Sequence, residues 1–86
     1  MTSNSQPANF ELVTRTGCHL CEVMEAVLLE ELPRYGLKLN YRDVDADPAL
    51  EERFGDVVPV LLRDGVPVAK VRIEPEQVRR LITRSC

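Results

Sequence analysis

The spacing of hydrophobic positions changes several times along this chain, and each change marks an element. Phe10-Glu11-Leu12-Val13 is a short run of β-forming residues that Thr14 extends and Arg15-Thr16-Gly17 breaks. From Cys18 the spacing turns helical. Leu20, Met24, Val27 and Leu28 fall on one stripe, Cys21, Met24, Leu28 and Leu32 continue the same face, and Glu22, Glu25 and Glu30 lie off it. Pro33 and Gly36 close this helix. Leu37, Leu39 and Tyr41 then alternate with Lys38, Asn40 and Arg42, a half-buried strand that runs out at Asp43-Val44-Asp45.

The second half is punctuated by turn chemistry. Asp47-Pro48 is a helix start, an N-cap acceptor followed by proline in the first turn, and Gly55 is the expected stop. Val57-Val58-Pro59-Val60-Leu61-Leu62 reads as a buried strand with a proline inside it. Asp64-Gly65 signals a tight hairpin, and Val66 through Val71 forms the returning strand. Pro75 opens a last helix with Val78, Leu81 and Ile82 as its apolar face, Glu74 and Glu76 at its N-terminal end and Arg84 near its C-terminal end. The predicted order is β-α-β-α-β-β-α, an α/β fold with a four-stranded mixed sheet flanked by helices.

Bulk properties narrow the function. With 86 residues, 44% of them hydrophobic, the chain supports one compact globular domain. The expected organisation is a disordered polar leader over residues 1–9, a domain over 10–84 and a short tail at 85–86. The net charge of −3 argues against nucleic-acid binding, and Arg79, Arg80 and Arg84 read as a solvated helix face. No apolar run approaches the roughly 20 residues that span a bilayer, and the first nine residues lack a secretory h-region, so a cytoplasmic protein without membrane association is expected.

Cysteine usage supplies the candidate chemistry. The three cysteines are Cys18, Cys21 and Cys86. An odd count is a poor disulfide scaffold, whereas C-x-x-C in a reducing compartment points to redox or metal chemistry. Cys18 falls where a strand stops and a helix starts. A thiolate there meets unpaired backbone N–H groups and the positive end of the helix dipole, which lower a thiol pKa. Cys21 lies one turn on, in the apolar register, where it is more shielded and less ionised. Cys18 is thus the expected nucleophile and Cys21 the resolving thiol. Gly17, His19 and Leu20 are the residues placed to tune the pair, His19 either as a charge beside Cys18 or as a plain exposed residue. Zinc is disfavoured, because adjacent Cys18 and His19 point in different directions and a closed site needs four ligands. Cys86 reads as incidental, able to form an unwanted dimer in air.

Proline inside a strand costs a ladder hydrogen bond and so requires a reason, and a deliberately kept cis peptide at Pro59 is one. The element order with C-x-x-C opening the first helix resembles the thioredoxin fold in its minimal, glutaredoxin-sized form, and Val57-Val58-Pro59 looks like the Thr-Val-Pro segment of glutaredoxins. By that resemblance Pro59 is a cis-proline facing the cysteines, and Val58 offers its backbone to a substrate chain. Arg15, three residues before Cys18, stands where many glutaredoxins carry a basic residue for a glutathione carboxylate. A plainer role is shielding charge near Glu11 or Asp43.

Two motifs depart from the family. His19-Leu20 replaces Pro-Tyr of C-P-Y-C, and Lys70-Val71-Arg72-Ile73-Glu74-Pro75 stands where glutaredoxins have a Gly-Gly and an acidic residue for the γ-glutamyl end of glutathione. The resemblance therefore implies a monomeric thiol–disulfide oxidoreductase with no tightly bound cofactor. It would act on protein disulfides or glutathione mixed disulfides, with an external thiol reductant and with glutathione as a possible co-substrate of reduced affinity. The rival readings are a non-catalytic binding module that grips a peptide at Val58-Pro59, and a metal or iron–sulfur carrier.

Overall fold

A computed structural model describes residues 8–83. The elements are β1 (Phe10–Thr14), α1 (His19–Glu31), β2 (Leu39–Asp43), α2 (Pro48–Phe54), β3 (Val60–Arg63), β4 (Val66–Lys70) and α3 (Pro75–Thr83), with 3-10 turns at Leu32–Tyr35 and Val44–Ala46. The order β-α-β-α-β-β-α and the four-stranded mixed sheet are those the sequence predicts, a minimal thioredoxin fold. The sheet runs β2-β1-β3-β4. β1 and β2 are parallel and joined by the α1 crossover, whereas β3 is antiparallel to both β1 and β4.

Alternation along the strands splits the apolar residues between two faces. Phe10 and Leu12 of β1, Leu61 of β3 and Ala69 of β4 point to one side, against Met24, Leu28 and Leu32 and against Ile73, Val78 and Ile82. Val13, Val60 and Leu62 point to the other, against Val44, Leu50 and Phe54. A strand places neighbours on opposite faces, so β1 and β3 serve both clusters at once. Each fully buried aliphatic or aromatic side chain contributes roughly 1.5–3 kcal/mol, and these two clusters fix the sheet between its helical layers.

The punctuation acts as the sequence suggests, with two physical differences. Asp47 caps α2 through Oδ1, which accepts from Ala49 N–H at 3.0 Å. Gly36 is left-handed, φ 72°, and closes the turn after α1. Asp64 (φ 53°) and Gly65 (φ 85°) form the hairpin turn, which Asn9 fastens by donating its N–H to Asp64 Oδ1 at 2.9 Å. Gly55, however, is right-handed, φ −55°. Its lack of a side chain serves close approach instead: a Cβ there would lie 2.6 Å from the Glu51 carbonyl and from its carboxylate. Arg79 is more than a solvated residue, because it reaches from α3 to donate to the buried Glu31 of α1 at 3.3 Å.

The strand boundaries shift from expectation. β2 covers 39–43 rather than 37–42, because the parallel register opposes Phe10 to Leu39. β3 begins only at Val60, so Val57, Val58 and Pro59 form its approach rather than its body. β4 stops at Lys70, since Val71 takes φ 71°, a left-handed conformation that ends a strand. Leu20 is 42% exposed: α1 turns Cys21 inward in its place, and the buried stripe runs on through Met24 and Leu28. Of the leader expected over residues 1–9, residues 1–7 lie outside the described residues, whereas Ala8 packs against the core and Asn9 is hydrogen-bonded to Asp64 and Asn40, so the domain starts two residues before the expected Phe10. The readings of Arg84 and Cys86 also lie outside the described residues. No described helix is long and apolar enough to cross a membrane.

Candidate functional site

The segment from Arg15 to Cys21 turns the chain from the end of β1 into α1. Cys18 N–H donates to the Arg15 carbonyl at 3.3 Å, and Gly17 takes φ 77° within this turn. A Cβ on Gly17 would meet nothing within 4 Å, so glycine is needed there for its backbone and not for space. Cys18 is the N-cap of α1 in an extended conformation, φ −95°, ψ 109°. Its Sγ accepts from Cys21 N–H at 3.1 Å, satisfying one of the four donors that every helix N-terminus leaves open.

Cys18 and Cys21 form a disulfide across a Cα–Cα distance of 5.2 Å, inside the usual range for such bridges. Their environments differ. Cys18 is half-buried, whereas Cys21 is only 3% exposed and lies at the sheet side of the helix. His19 and Leu20, between them, are both exposed.

Register brings a second loop to the same end of the sheet. Val13 opposes Val60, so the chain leaving β1 toward Cys18 runs beside the chain entering β3 from Pro59. The Val58–Pro59 peptide bond is cis. Pro59 is buried and its carbonyl accepts from Val71 N–H at 2.7 Å; Arg72 N–H in turn donates to the Lys70 carbonyl at 2.7 Å, closing a γ-turn over Val71. Val58 is half-buried, and its backbone N–H and C=O make no backbone hydrogen bond among the described residues.

Arg15 does not reach Glu11 or Asp43. Its Nε donates to both carboxylate oxygens of Asp45, at 3.1 and 3.3 Å, one amino group donates to the Gly55 carbonyl at 3.1 Å, and the other to Glu51 Oε2 at 3.2 Å. Glu11 pairs instead with Arg42, at 3.5 Å.

A shallow cavity of about 290 Å³ opens beside the disulfide, walled by Cys18, Cys21, Arg15 and Gly17 and by three residues that sequence reasoning passed over, Glu22, Glu25 and Tyr41. The Tyr41 hydroxyl donates to Glu25 Oε2 at 2.6 Å. That bond to a carboxylate, aided by partial burial and the carboxylate's charge, pushes the Tyr41 phenol up to about 12. The two glutamates read as solvent-side residues of a helix, and only the β2 register shows that Tyr41 reaches Glu25. Among the described residues no three His, Cys, Asp or Glu side chains are grouped to hold a metal ion.

Comparison with known proteins places this geometry. The profile of the family described as glutaredoxin-like domain (DUF836) matches residues 9–83. Uncharacterized proteins of Mycobacterium bovis and Mycobacterium tuberculosis are 34% identical over 80 residues, covering 87% of this chain and 82% of theirs. Among solved structures, protein Ne2328 of Nitrosomonas europaea superposes with a TM-score of 0.78 at 24% identity, over 95% of this chain and 99% of that one. A thioredoxin mutant from Halobacterium salinarum superposes with a TM-score of 0.66 at 23% identity, over 95% and 77% of the two chains. At these identities the likeness is one of fold.

Proposed function

We propose that this chain, which belongs to the glutaredoxin-like domain (DUF836) family and carries the thioredoxin fold, is a dithiol–disulfide oxidoreductase acting on protein or glutathione mixed disulfides. The observation that carries this reading is the Cys18–Cys21 disulfide at the start of α1, joining a half-buried residue to a buried one on the wall of a cavity.

The reaction runs from the reduced pair. The Cys18 thiolate attacks one sulfur of a partner disulfide; a Cys18–partner bond forms, and the other partner sulfur leaves as a thiolate and takes up a proton. Deprotonated Cys21 then attacks Cys18 Sγ. The Cys18–Cys21 bond forms, the partner's remaining thiol is released, and two electrons have passed from the dithiol to the partner. An external thiol reductant restores the pair. Cys21 suits the second step because it is shielded from outside disulfides yet bonded across one helical turn to Cys18.

The partner chain docks in a β-type pairing with the unbonded backbone of Val58 beside Pro59. Glutathione finds fewer contacts. Arg15 already faces two carboxylates and a carbonyl, and Lys70-Val71-Arg72-Ile73-Glu74-Pro75 stands in the stretch where glutaredoxins have Gly-Gly and an acidic residue. Gly17 sets the turn, and His19 and Leu20 form the exposed rim that an incoming partner meets first.

The test is trapping and turnover. Cys21→Ser is expected to accumulate a stable mixed disulfide at Cys18, while Cys18→Ser forms none and loses all exchange. Wild-type protein that turns over no disulfide at all, under any thiol reductant, would replace this reading with that of a binding module.

A further inference from the structure

Arg15 uses its guanidinium in three directions, one to the turn after β2 and two to α2 and its C-terminal end. Nε holds Asp45, in the turn after β2; one amino group holds Glu51, on α2; the other holds the carbonyl of Gly55, at the end of α2 and four residues before Pro59. Its own carbonyl accepts from Cys18 N–H. A single residue thus joins the loop that carries the cysteines to the loop that carries Val58 and Pro59.

The partners are built for this. Asp45 N–H is held by Asp43 Oδ1 at 2.9 Å, so the turn presenting its carboxylate is fixed. Gly55 has no side chain, which leaves the Glu51 carboxylate room to lie against the end of its helix. Only a planar fork with five donors serves three divergent acceptors; an ammonium on a flexible stem does not. The Arg15 side chain is one-third exposed, and ion pairs at such depth add little stability, so the value of this arrangement lies in alignment.

We propose that Arg15 is a positioning residue: it fastens the cysteine loop to the Val58–Pro59 loop and aligns the docking edge with Cys18, and it does not receive a substrate carboxylate. Its charge is already matched by Asp45 and Glu51, so an incoming carboxylate would have to displace one of them. The term docking edge rests on the function proposed above; the fastening itself does not.

Two measurements test it in the full chain. The first is kinetic, with one peptide cysteine presented either as a mixed disulfide with a small uncharged thiol, the peptide ends blocked and bearing no carboxylate, or as its glutathionylated form. Arg15→Gln and the Asp45→Asn/Glu51→Gln double variant are expected to lose roughly tenfold or more in kcat/KM on both forms alike, as misalignment of a reacting group does, and Arg15→Lys is expected not to restore it. The second is the Arg15 Nε–H resonance in nitrogen-resolved spectra. It is expected to exchange slowly, to shift in Asp45→Asn, and to stay unmoved as reduced glutathione is added.

A loss confined to the glutathionylated form and restored by lysine, or a resonance displaced by glutathione, would overturn the proposal in favour of a carboxylate receptor. Undiminished activity of Arg15→Gln on both forms would overturn it outright. Should wild-type protein turn over neither form, the proposed function falls, and the resonance alone decides whether Arg15 is fastened.

Discussion

Cys18 and Cys21 are chemically identical and one helical turn apart, so any division of labour between them comes from position. That much was legible: a break before Cys18 and an apolar register through Cys21 predict one thiol at a helix start and one against the core, where the structure puts them. Tyr41 was misread in depth though not in direction. It opposes Leu12 on the face that α1 covers, but β2 is an edge strand, so its ring extends past the core and its hydroxyl reaches Glu25. No local pattern reports an edge. The bond has a measurable consequence. The Tyr41 phenol is raised to about 12, so the bond to Glu25 is intact below the ordinary tyrosine range and is lost as pH rises through that value. A phenolate absorbance titration of wild-type protein, with Tyr41→Phe to identify the contribution, is expected to show Tyr41 ionising near 12, and Glu25→Gln is expected to lower it. Ionisation of Tyr41 at about 10, the ordinary value, would show that the bond does not persist in solution.

At the scale of elements, what could be read was what is encoded within a few residues. Asp47-Pro48, Gly36, Asp64-Gly65 and Pro75 each fix a local backbone, and all four mark boundaries of the observed elements. Boundaries set by pairing were less legible. β2 and β3 start later than their hydrophobic runs because register with β1, formed over long sequence separation, decides which residues enter the ladder. Gly55 shows the same limit. Sequence suggests a left-handed stop, but the residue is right-handed and is glycine because the Glu51 carbonyl and carboxylate crowd its α-carbon. Gly55→Ala is therefore expected to destabilise the fold by roughly 1–3 kcal/mol, as overpacking does, where an unstrained helix end would gain from alanine. Urea denaturation of the two proteins measures the difference, and an alanine variant equal to or more stable than wild type would show that Glu51 can move aside. The three-way engagement of Arg15 was illegible for the same reason: Asp45, Glu51 and Gly55 lie 30 to 40 residues away, and only the assembled sheet brings their loops together.

For the molecule as a whole, stability and redox behaviour are two sides of one thermodynamic cycle. If the Cys18–Cys21 bond stabilises the fold, the fold stabilises the bond to the same extent, and the folded dithiol is a stronger reductant than the same cysteines in the unfolded chain. The bridge spans a sequence separation of 3, so the loop it closes is short. By chain entropy such a loop contributes roughly 2 kcal/mol, a small share of what a domain gains from its core. What opposes it is any preference of the fold for the reduced, thiolate form. The helix start at Cys18 favours the thiolate. The cavity wall disfavours it, because Glu22 and Glu25 line the same cavity as Cys18 while Arg15, the cation of that lining, is matched by Asp45 and Glu51. The oxidised protein is therefore expected to be the more stable form, by up to about 2 kcal/mol, and its potential to lie below that of the unfolded chain by up to roughly 40 mV. Urea unfolding of the oxidised and reduced protein at one pH gives the first quantity, and equilibration of the folded and the urea-unfolded pair with a thiol buffer gives the second. The two must agree through the cycle. A reduced form that outlasts the oxidised one in urea would mean that thiolate stabilisation at the start of α1 outweighs both the closed loop and the acidic wall, making the pair an oxidant relative to its unfolded chain.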